Sequence, residues 1–597
     1  MKSLMQLWYT LLAELGEVCG TSTIRDRKTA TDRFEHEGLS FFTITLPDFC
    51  ADLQKGLDRG WVDHDLFKAF RFTSGLPQFL GGFLDLVFDR VSGKLLTEPS
   101  IDAIFAIRQL TLMFGKVSLD CSSSRTEKAI KAYVECENEV RRFDQERTPA
   151  DYQEFSRISS LLFADVYSRC DLRIMSGDIM PKHGPGATAD RLSGNRKYGQ
   201  VQWPLRLESL FPAIEFIIAG WDYQRLSDVN FVEPGAELPV RVITVPKTLK
   251  TPRIIAIEPT AMQYVQQALL EMFLEEYVKD DILTSFLGFD DQVPNQQLAR
   301  KGSIDGSLAT LDLSEASDRV SNQLVRTMLA RFPHFAEGVD ACRSRKADVP
   351  GHGVIRLAKF ASMGSALCFP MEAMVFLTVI FLGIQDELNE PLTRRTLLEF
   401  VGRVRVYGDD IIIPVRFVPS VVRRLEAFGF RVNSGKSFWT GKFRESCGKD
   451  YYDGNDVSVV RCRRLIPTQR THVEEVISMA SMRNQLYQLG LWKTCQWIDE
   501  HLTSILKYYP VVSPTSPVLG RHSVLGYQEE RMDPHLHRPL VRGYVVQATP
   551  PKDPLDGEAA LLKVMLKRGL EPLDKQHLER AGRPDAVYLK LRWATPY

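Results

Sequence analysis

Apolar residues recur at helical spacing through most of residues 1–170, for example in Ile101–Phe114 and Ser156–Tyr167. In Arg125–Arg142 charged positions interrupt the apolar ones with the same period. A helical scaffold is expected there, with no internal repeat or low-complexity tract. The pattern then changes. Thr244–Val245 and Arg253–Ile257 read as two strands around a loop, and Thr260–Tyr277 as an amphipathic helix. The apolar run before Asp312 reads as a strand end, giving way at Ser314 to a helix start with Ser/Thr/Asp cap chemistry. The longest apolar run, Ala373–Ile384, is shorter than the ~20 residues of a membrane span and predicts a buried helix. Val401–Val406 and Ile411–Val415 flank Gly408-Asp409 as the strands of a tight hairpin. Beyond it come a helix, Val421–Phe428, ending at Gly429, and a second hairpin at Phe443–Gly448. Residues 474–508 are helical in pattern, 509–557 irregular, and a last helix, Gly557–Arg568, precedes a polar tail.

Composition narrows the class. The chain has 597 residues, 44% hydrophobic and 25% charged, as in folded soluble proteins. Its 75 basic and 75 acidic residues cancel, so a nucleic-acid partner would need a local basic groove. Ten cysteines are scattered without zinc spacing, which predicts reduced, mostly buried thiols. No signal-peptide pattern occurs in Met1–Gly20, and a cytoplasmic protein is expected.

Candidate chemistry begins at the Gly408 turn, which projects Asp409 and Asp410 beyond two strand ends. Adjacent carboxylates there repel unless a cation lies between them, and hard oxygen ligands suit Mg²⁺. A surface hairpin would carry the same residues, so the rest of the chain decides. Asp312 lies at a strand end, and Asp318 follows about a helical turn and a half later. Leu238–Ile257 contains Arg241, Lys247, Lys250 and Arg253 and no acid. Lys247, Lys250 and Arg253, spaced by three, could converge on a triphosphate, or form a solvated face. Lys182–Thr188 is a rigid Gly-Pro-Gly loop, either structural or phosphate-binding. Ser362-Met363-Gly364 permits close approach of a base, and Glu372, near a helix start, can simply complement the helix dipole. Lys436 lies in a loop. Arg461, Arg463, Arg464 and Arg470 form a second basic cluster, suited to an RNA backbone or to solvent.

Together these strings resemble the RNA-directed RNA polymerase, the replicase β subunit, of levivirus-type single-stranded RNA bacteriophages. The resemblance rests on Lys182–Thr188, Arg253–Thr260, Asp312–Ser321, Ser362–Gly364, Tyr407–Asp410, Val432–Ser437 and Phe443–Tyr452, in the family order. It implies an α+β right-hand fold. The expected division is residues 1–305 (N-terminal region and fingers), 306–455 (palm, with a fingers insertion at 330–358) and 456–597 (thumb and C-terminal region). It implies two Mg²⁺ ions, with Mn²⁺ able to substitute, on Asp312, Asp409 and Asp410. It further implies triphosphate contacts from Lys247, Lys250 and Arg253, ribose recognition by Asp318, base-pair sensing by Ser362 and Gly364, and pyrophosphate protonation by Lys436. Glu372 stands where many viral polymerases have Asn, and Cys368 where Thr or Ser is common. Implied partners are a single-stranded RNA template, nucleoside triphosphates, host elongation factors Tu and Ts, and an RNA-binding ribosomal protein. The implied location is the cytoplasm of the infected bacterium.

Two other functions fit parts of the pattern. Reverse transcriptases also carry an Asp-Asp turn after Tyr, but usually with a bulky aromatic near the first Asp. Leu313–Arg319 has none, which favours ribonucleotides. An inactive RNA-binding protein on a polymerase fold would have little reason to keep all three carboxylates and the basic loop.

Overall fold

The computed structural model describes residues 2–548, 553–567 and 587–597. The first 175 residues are mainly helical, as their periodicity requires, and include Lys2–Val18, Leu46–Arg59 and Ile101–Leu112. Helix α1 spans Ser123–Glu146 and α2 spans Pro149–Met175. A capping box fixes the start of α2: Thr148 accepts from the Asp151 backbone and Asp151 accepts from that of Thr148. Its buried side chains, Phe155, Ile158, Leu162, Phe163, Val166, Tyr167, Cys170 and Ile174, follow the 3.6-residue period.

Two four-stranded sheets organise the middle of the chain. One contains β1 (Val240–Val245) and β2 (Arg253–Ile257), an antiparallel pair with Val245 opposite Arg253. Helix α3, Thr260–Tyr277, follows directly. The other sheet is built on β3, Leu308–Ser314. Strands Lys346–Val349 (β4) and Gly353–Arg356 (β5) complete the first sheet in the order β2-β1-β4-β5. Helix α4, Cys368–Leu388, then leads to β6 (Arg405–Tyr407), β7 (Asp410–Pro414) and β8 (Arg431–Val432). These give the second sheet the order β6-β7-β3-β8, all antiparallel.

The largest core packs α2, α3 and α4 against the second sheet, through residues such as Tyr167, Met272, Phe376 and Ile411. A second core joins residues from Leu4 to Val117 with residues from Phe438 to Tyr544, so the two ends of the chain share one interior. Helix α4 has 21 residues and is long and apolar enough to cross a membrane; 89% of its most apolar window is buried inside the protein. The run Ala373–Ile384 is therefore the middle of a longer core helix, and its burial is as expected.

Several expectations need correction. The strand expected at Val401–Val406 forms only from Arg405, because Phe400–Val404 closes a turn in which Gly402 has φ 70°. No continuous helix begins at Ser314. Glu315 has φ 56°, a short 3₁₀ turn spans Ser317–Arg319, and the helix proper, Asn322–Leu329, starts after the N-cap Ser321. Asp318 is thus set by a kink rather than by helical rise. The stretch 509–557 holds a ten-residue strand, Pro539–Ala548, paired with Val587–Ala594 and with two short strands. Its partner lies far along the chain, which local composition does not reveal. The last helix is Gly557–Leu566, and Arg568 with much of the polar tail lies outside the described residues.

Candidate functional site

Strand pairing assembles the carboxylates. In the β7/β3 register Asp410 lies directly opposite Asp312, and Tyr407 pairs with Asp410, leaving Gly408-Asp409 as a two-residue turn. Gly408 has φ 59°, and a Cβ there would stand 2.5 Å from the ring of Phe369, so only glycine fits. Asp312 is fixed from β8 and the loop after it. Asn433 Nδ2 donates to its Oδ2 at 2.8 Å, and Lys436 Nζ lies 3.8 Å from its Oδ1. Its backbone N–H donates to Ser437 Oγ at 3.1 Å. Ser446 Oγ, on the strand Phe443–Ser446, lies 3.5 Å from Asp410 Oδ1.

Burial, with the charges of Asp409 and Asp312 added, pushes the Asp410 carboxyl up to about 6. Burial also raises Asp312, against the pull of Lys436. Burial opposes the charge on Lys436, yet Asp312, Glu445, Asp409 and Asp410 together hold its ammonium above the usual value. Among the described residues no group of three His, Cys, Asp or Glu side chains converges in ligating geometry. The donor set nonetheless fits a hard divalent cation: buried carboxylates raise one another, and their oxygens are the ligands Mg²⁺ prefers.

The cations of the β1–β2 loop are not equivalent. Burial lowers Lys247, as do Arg253 and Lys436, while Asp409 and Asp312 pull it back up. Lys247, and through it Arg253, therefore belongs to the field around the carboxylates. Lys250 instead pairs with Asp48 of the helix Leu46–Arg59, 3.0 Å away and exposed.

Asp318 anchors a polar network that the sequence did not announce. Ser362 Oγ donates to Asp318 Oδ1 at 2.7 Å, and having spent its proton it accepts from the Tyr133 hydroxyl of α1 at 3.0 Å. Lys359 Nζ, fully buried, lies 3.2 Å from Asp318 Oδ1, 3.8 Å from Glu137 Oε2 and 3.6 Å from the Tyr133 ring centre. Burial opposes its charge, and these neighbours raise its pKa nonetheless. Gly364 follows with φ 131°; a Cβ there would lie 1.9 Å from the Ala256 carbonyl oxygen. The Ala256 N–H donates to Met363 O at 2.8 Å, so the Ser362–Gly364 loop is pinned on β2. Glu372 is not a surface complement to a helix dipole. It is buried, one carboxylate oxygen lacks a hydrogen-bond partner, and burial together with Asp409 and Asp318 raises its pKa well above the usual range.

The sequence reading missed Tyr133, Glu137, Lys359 and Asn433. Only the absence of acids around Lys359 hinted at it; Tyr133 and Glu137 sit in an ordinary amphipathic helix. In the Lys182–Thr188 loop, the carbonyls of Gly184 and Gly186 accept from buried Lys197, which makes the loop a built structural feature. Of the second basic cluster, Arg464 pairs with Glu474 at 2.5 Å and Arg470 donates to the Tyr544 hydroxyl at 3.0 Å.

Residues 236–516 match the family model described as RNA replicase, beta-chain. Over 218 residues the chain is 37% identical to the RNA-directed RNA polymerase beta chain of Enterobacteria phage fr, covering 36% of each. Over 410 residues it is 29% identical to the RNA-directed RNA polymerase subunit beta of Escherichia virus Qbeta, covering 66% of this chain and 62% of the relative. These alignments span less than two thirds of the relatives' lengths. Among solved structures, an insertion-loop deletion mutant of a human picobirnavirus RNA-dependent RNA polymerase aligns with a TM-score of 0.33 at 11% identity. It covers 45% of this chain and 59% of that one.

Proposed function

We propose that this chain, a relative of the RNA-phage RNA replicase β-chains, is an RNA-directed RNA polymerase that copies a single-stranded viral RNA genome. The observation that carries this reading is the opposition of Asp312 and Asp410 across one strand pair, with Asp409 at the adjoining turn and Lys247 and Lys436 coupled to them. In this reading β3 and β6–β8 form the palm within residues 306–455, residues 1–305 supply the N-terminal region and fingers, and 456–597 the thumb.

Asp312, Asp409 and Asp410 would hold two Mg²⁺ ions, or Mn²⁺ in their place, supplying an activated 3′-hydroxyl and charge stabilisation at the leaving pyrophosphate. Lys247 and Arg253 grip the triphosphate of the incoming nucleotide, an ammonium point charge beside a guanidinium fork. Lys250 contributes only if it leaves Asp48. Asp318, oriented by Lys359 and Ser362, accepts a hydrogen bond from the ribose 2′-hydroxyl. Gly364 keeps that loop close against β2. Lys436, kept charged by the carboxylates around it, holds a proton for the departing pyrophosphate.

The site would work on an RNA template with ribonucleoside triphosphates, in the cytoplasm of an infected bacterium. Elongation factors Tu and Ts and an RNA-binding ribosomal protein are the partners the kinship suggests. The test is synthesis on a panel of RNAs without primer, with and without bacterial extract, supplying ribo- or deoxyribonucleotides. RNA-dependent incorporation of ribonucleotides is expected. Equal use of deoxyribonucleotides would favour the reverse-transcriptase reading, and RNA binding without synthesis the inactive-fold reading.

A further inference from the structure

Beside the carboxylates lies a second cationic site, which the reading above leaves unused. Lys116, from the loop after the helix Ile101–Leu112, meets Arg461 and Arg463 around a polar cavity of about 260 Å³. Ser478, Ser481 and Gln485, on one face of the helix Val473–Gln488, offer hydrogen-bonding groups to the same space.

The charges in this cavity are unbalanced. Among the described residues none of Lys116, Arg461 and Arg463 has a carboxylate within ion-pair distance, although Arg461 Nη1 donates to Leu112 O at 3.1 Å. Two acids also line the cavity. Asp450 is committed to Arg108 at 2.6 Å, and burial with the charge of Asp450 pushes Glu445 up to about 7. Burial and the two guanidiniums bring Lys116 down to about 8. A crowded, largely unpaired set of cations with hydroxyl and amide donors is the chemistry of a polyanion site.

Its position says which polyanion. Lys436 is felt by Lys116 and also lies 3.8 Å from Asp312. Glu445, in the cavity wall, is felt by both Lys436 and Asp410. The cavity therefore adjoins the carboxylates, and it draws on segments distinct from the Lys247–Arg253 loop.

We propose that this cavity holds the triphosphate of the first nucleotide of a new strand, the one whose 3′-hydroxyl serves as acceptor when synthesis starts without a primer. The inference rests on the polymerase reading. In the first step the 3′-oxygen of that nucleotide bonds to the α-phosphorus of the second. The bond from that phosphorus to pyrophosphate breaks, the hydroxyl proton passes to water, and the product keeps the first nucleotide's triphosphate at its 5′ end. A triphosphate matches three cations, whereas a single phosphodiester with one negative charge would leave two unmatched. Two triphosphates are present only at this step, and two cationic sites are present beside the carboxylates.

The experiment compares Lys116→Ala, Arg463→Ala and Arg463→Lys with the parent chain on one RNA template, in the presence of bacterial extract. Three starts are measured: from the first nucleoside triphosphate, from a dinucleotide with a 5′-hydroxyl, and from an annealed primer. The alanine variants should raise the apparent KM for the first triphosphate about tenfold, the scale of one lost charge-assisted contact, with Arg463→Lys between them and the parent. The two other starts should stay within about twofold, which also shows that the variants fold. Equal losses in all three starts, or no change in any, would overturn the inference while primer extension by the parent upholds the polymerase reading. A parent inactive in every arm would remove both.

Discussion

Asp312 and Asp410 face each other directly across the antiparallel pair β3/β7. Opposed residues in such a ladder project from the same face with Cβ atoms ~5 Å apart, close enough for one cation to bridge their carboxylates. Replacing Asp312 or Asp409 by Asn removes that bridge with almost no change in shape. Nucleotide incorporation should fall at least about a hundredfold, while RNA affinity in a filter-binding assay stays within about twofold because phosphate contacts dominate it. Incorporation that survived either change would sink the metal assignment.

The loop cations should separate in the same assay. Lys247→Ala and Arg253→Ala remove charges coupled to the carboxylate cluster and should raise the apparent KM for nucleoside triphosphates about tenfold each. Lys250 is spent on an exposed pair with Asp48, the kind worth under ~1 kcal/mol, so Lys250→Ala should change KM by less than about threefold. A larger effect for Lys250 than for Lys247 would mean that the loop rearranges before it meets nucleotide.

Gly364→Ala tests the loop that carries Ser362. The new methyl would stand 1.9 Å from a backbone oxygen, at a φ of 131° that side chains resist. Neither can yield without moving Ser362 away from Asp318. We expect a stability loss above ~2 kcal/mol together with a raised KM for nucleotides, read by thermal melting and initial rates. Wild-type values on both counts would refute the placement of this loop.

Stability should depend on pH through Glu258, which is buried just after β2 and accepts from Ser344 Oγ at 2.5 Å. Burial raises it from its ordinary 4.5 to about 7. The folded chain therefore keeps a proton that the unfolded chain releases between those values, and stability from this group is full below about 4.5 and lost as pH rises through about 7. Glu258→Gln, which keeps the neutral form at every pH, should melt above the parent at pH 8.5, by up to ~3 kcal/mol. It should show no advantage at pH 4.5, and an advantage independent of pH would contradict the mechanism.

The sequence by itself determined the local elements and the identity of the reactive groups. Thr260–Tyr277 forms the helix its periodicity predicts, Gly408 takes the left-handed turn, and the Asp-Asp pair sits at the hairpin tip, because each depends on backbone preferences of a few neighbouring residues. Tertiary structure decided everything that needed a distant partner. Asp312 meets Asp410 only through sheet register, and Lys250 is claimed by Asp48 from an N-terminal helix. Lys359 becomes the buried counterion of Asp318 only when α1 closes over it with Tyr133 and Glu137. Lys116 finds Arg461 and Arg463 only because the two ends of the chain share a core. Strand 539–548 likewise needed a partner strand at Val587–Ala594 before its backbone groups could pair. Hydrogen-bond direction and helical phase act over a few residues and can be read along a chain, whereas charge pairing and burial act through space and exist only once the chain has folded.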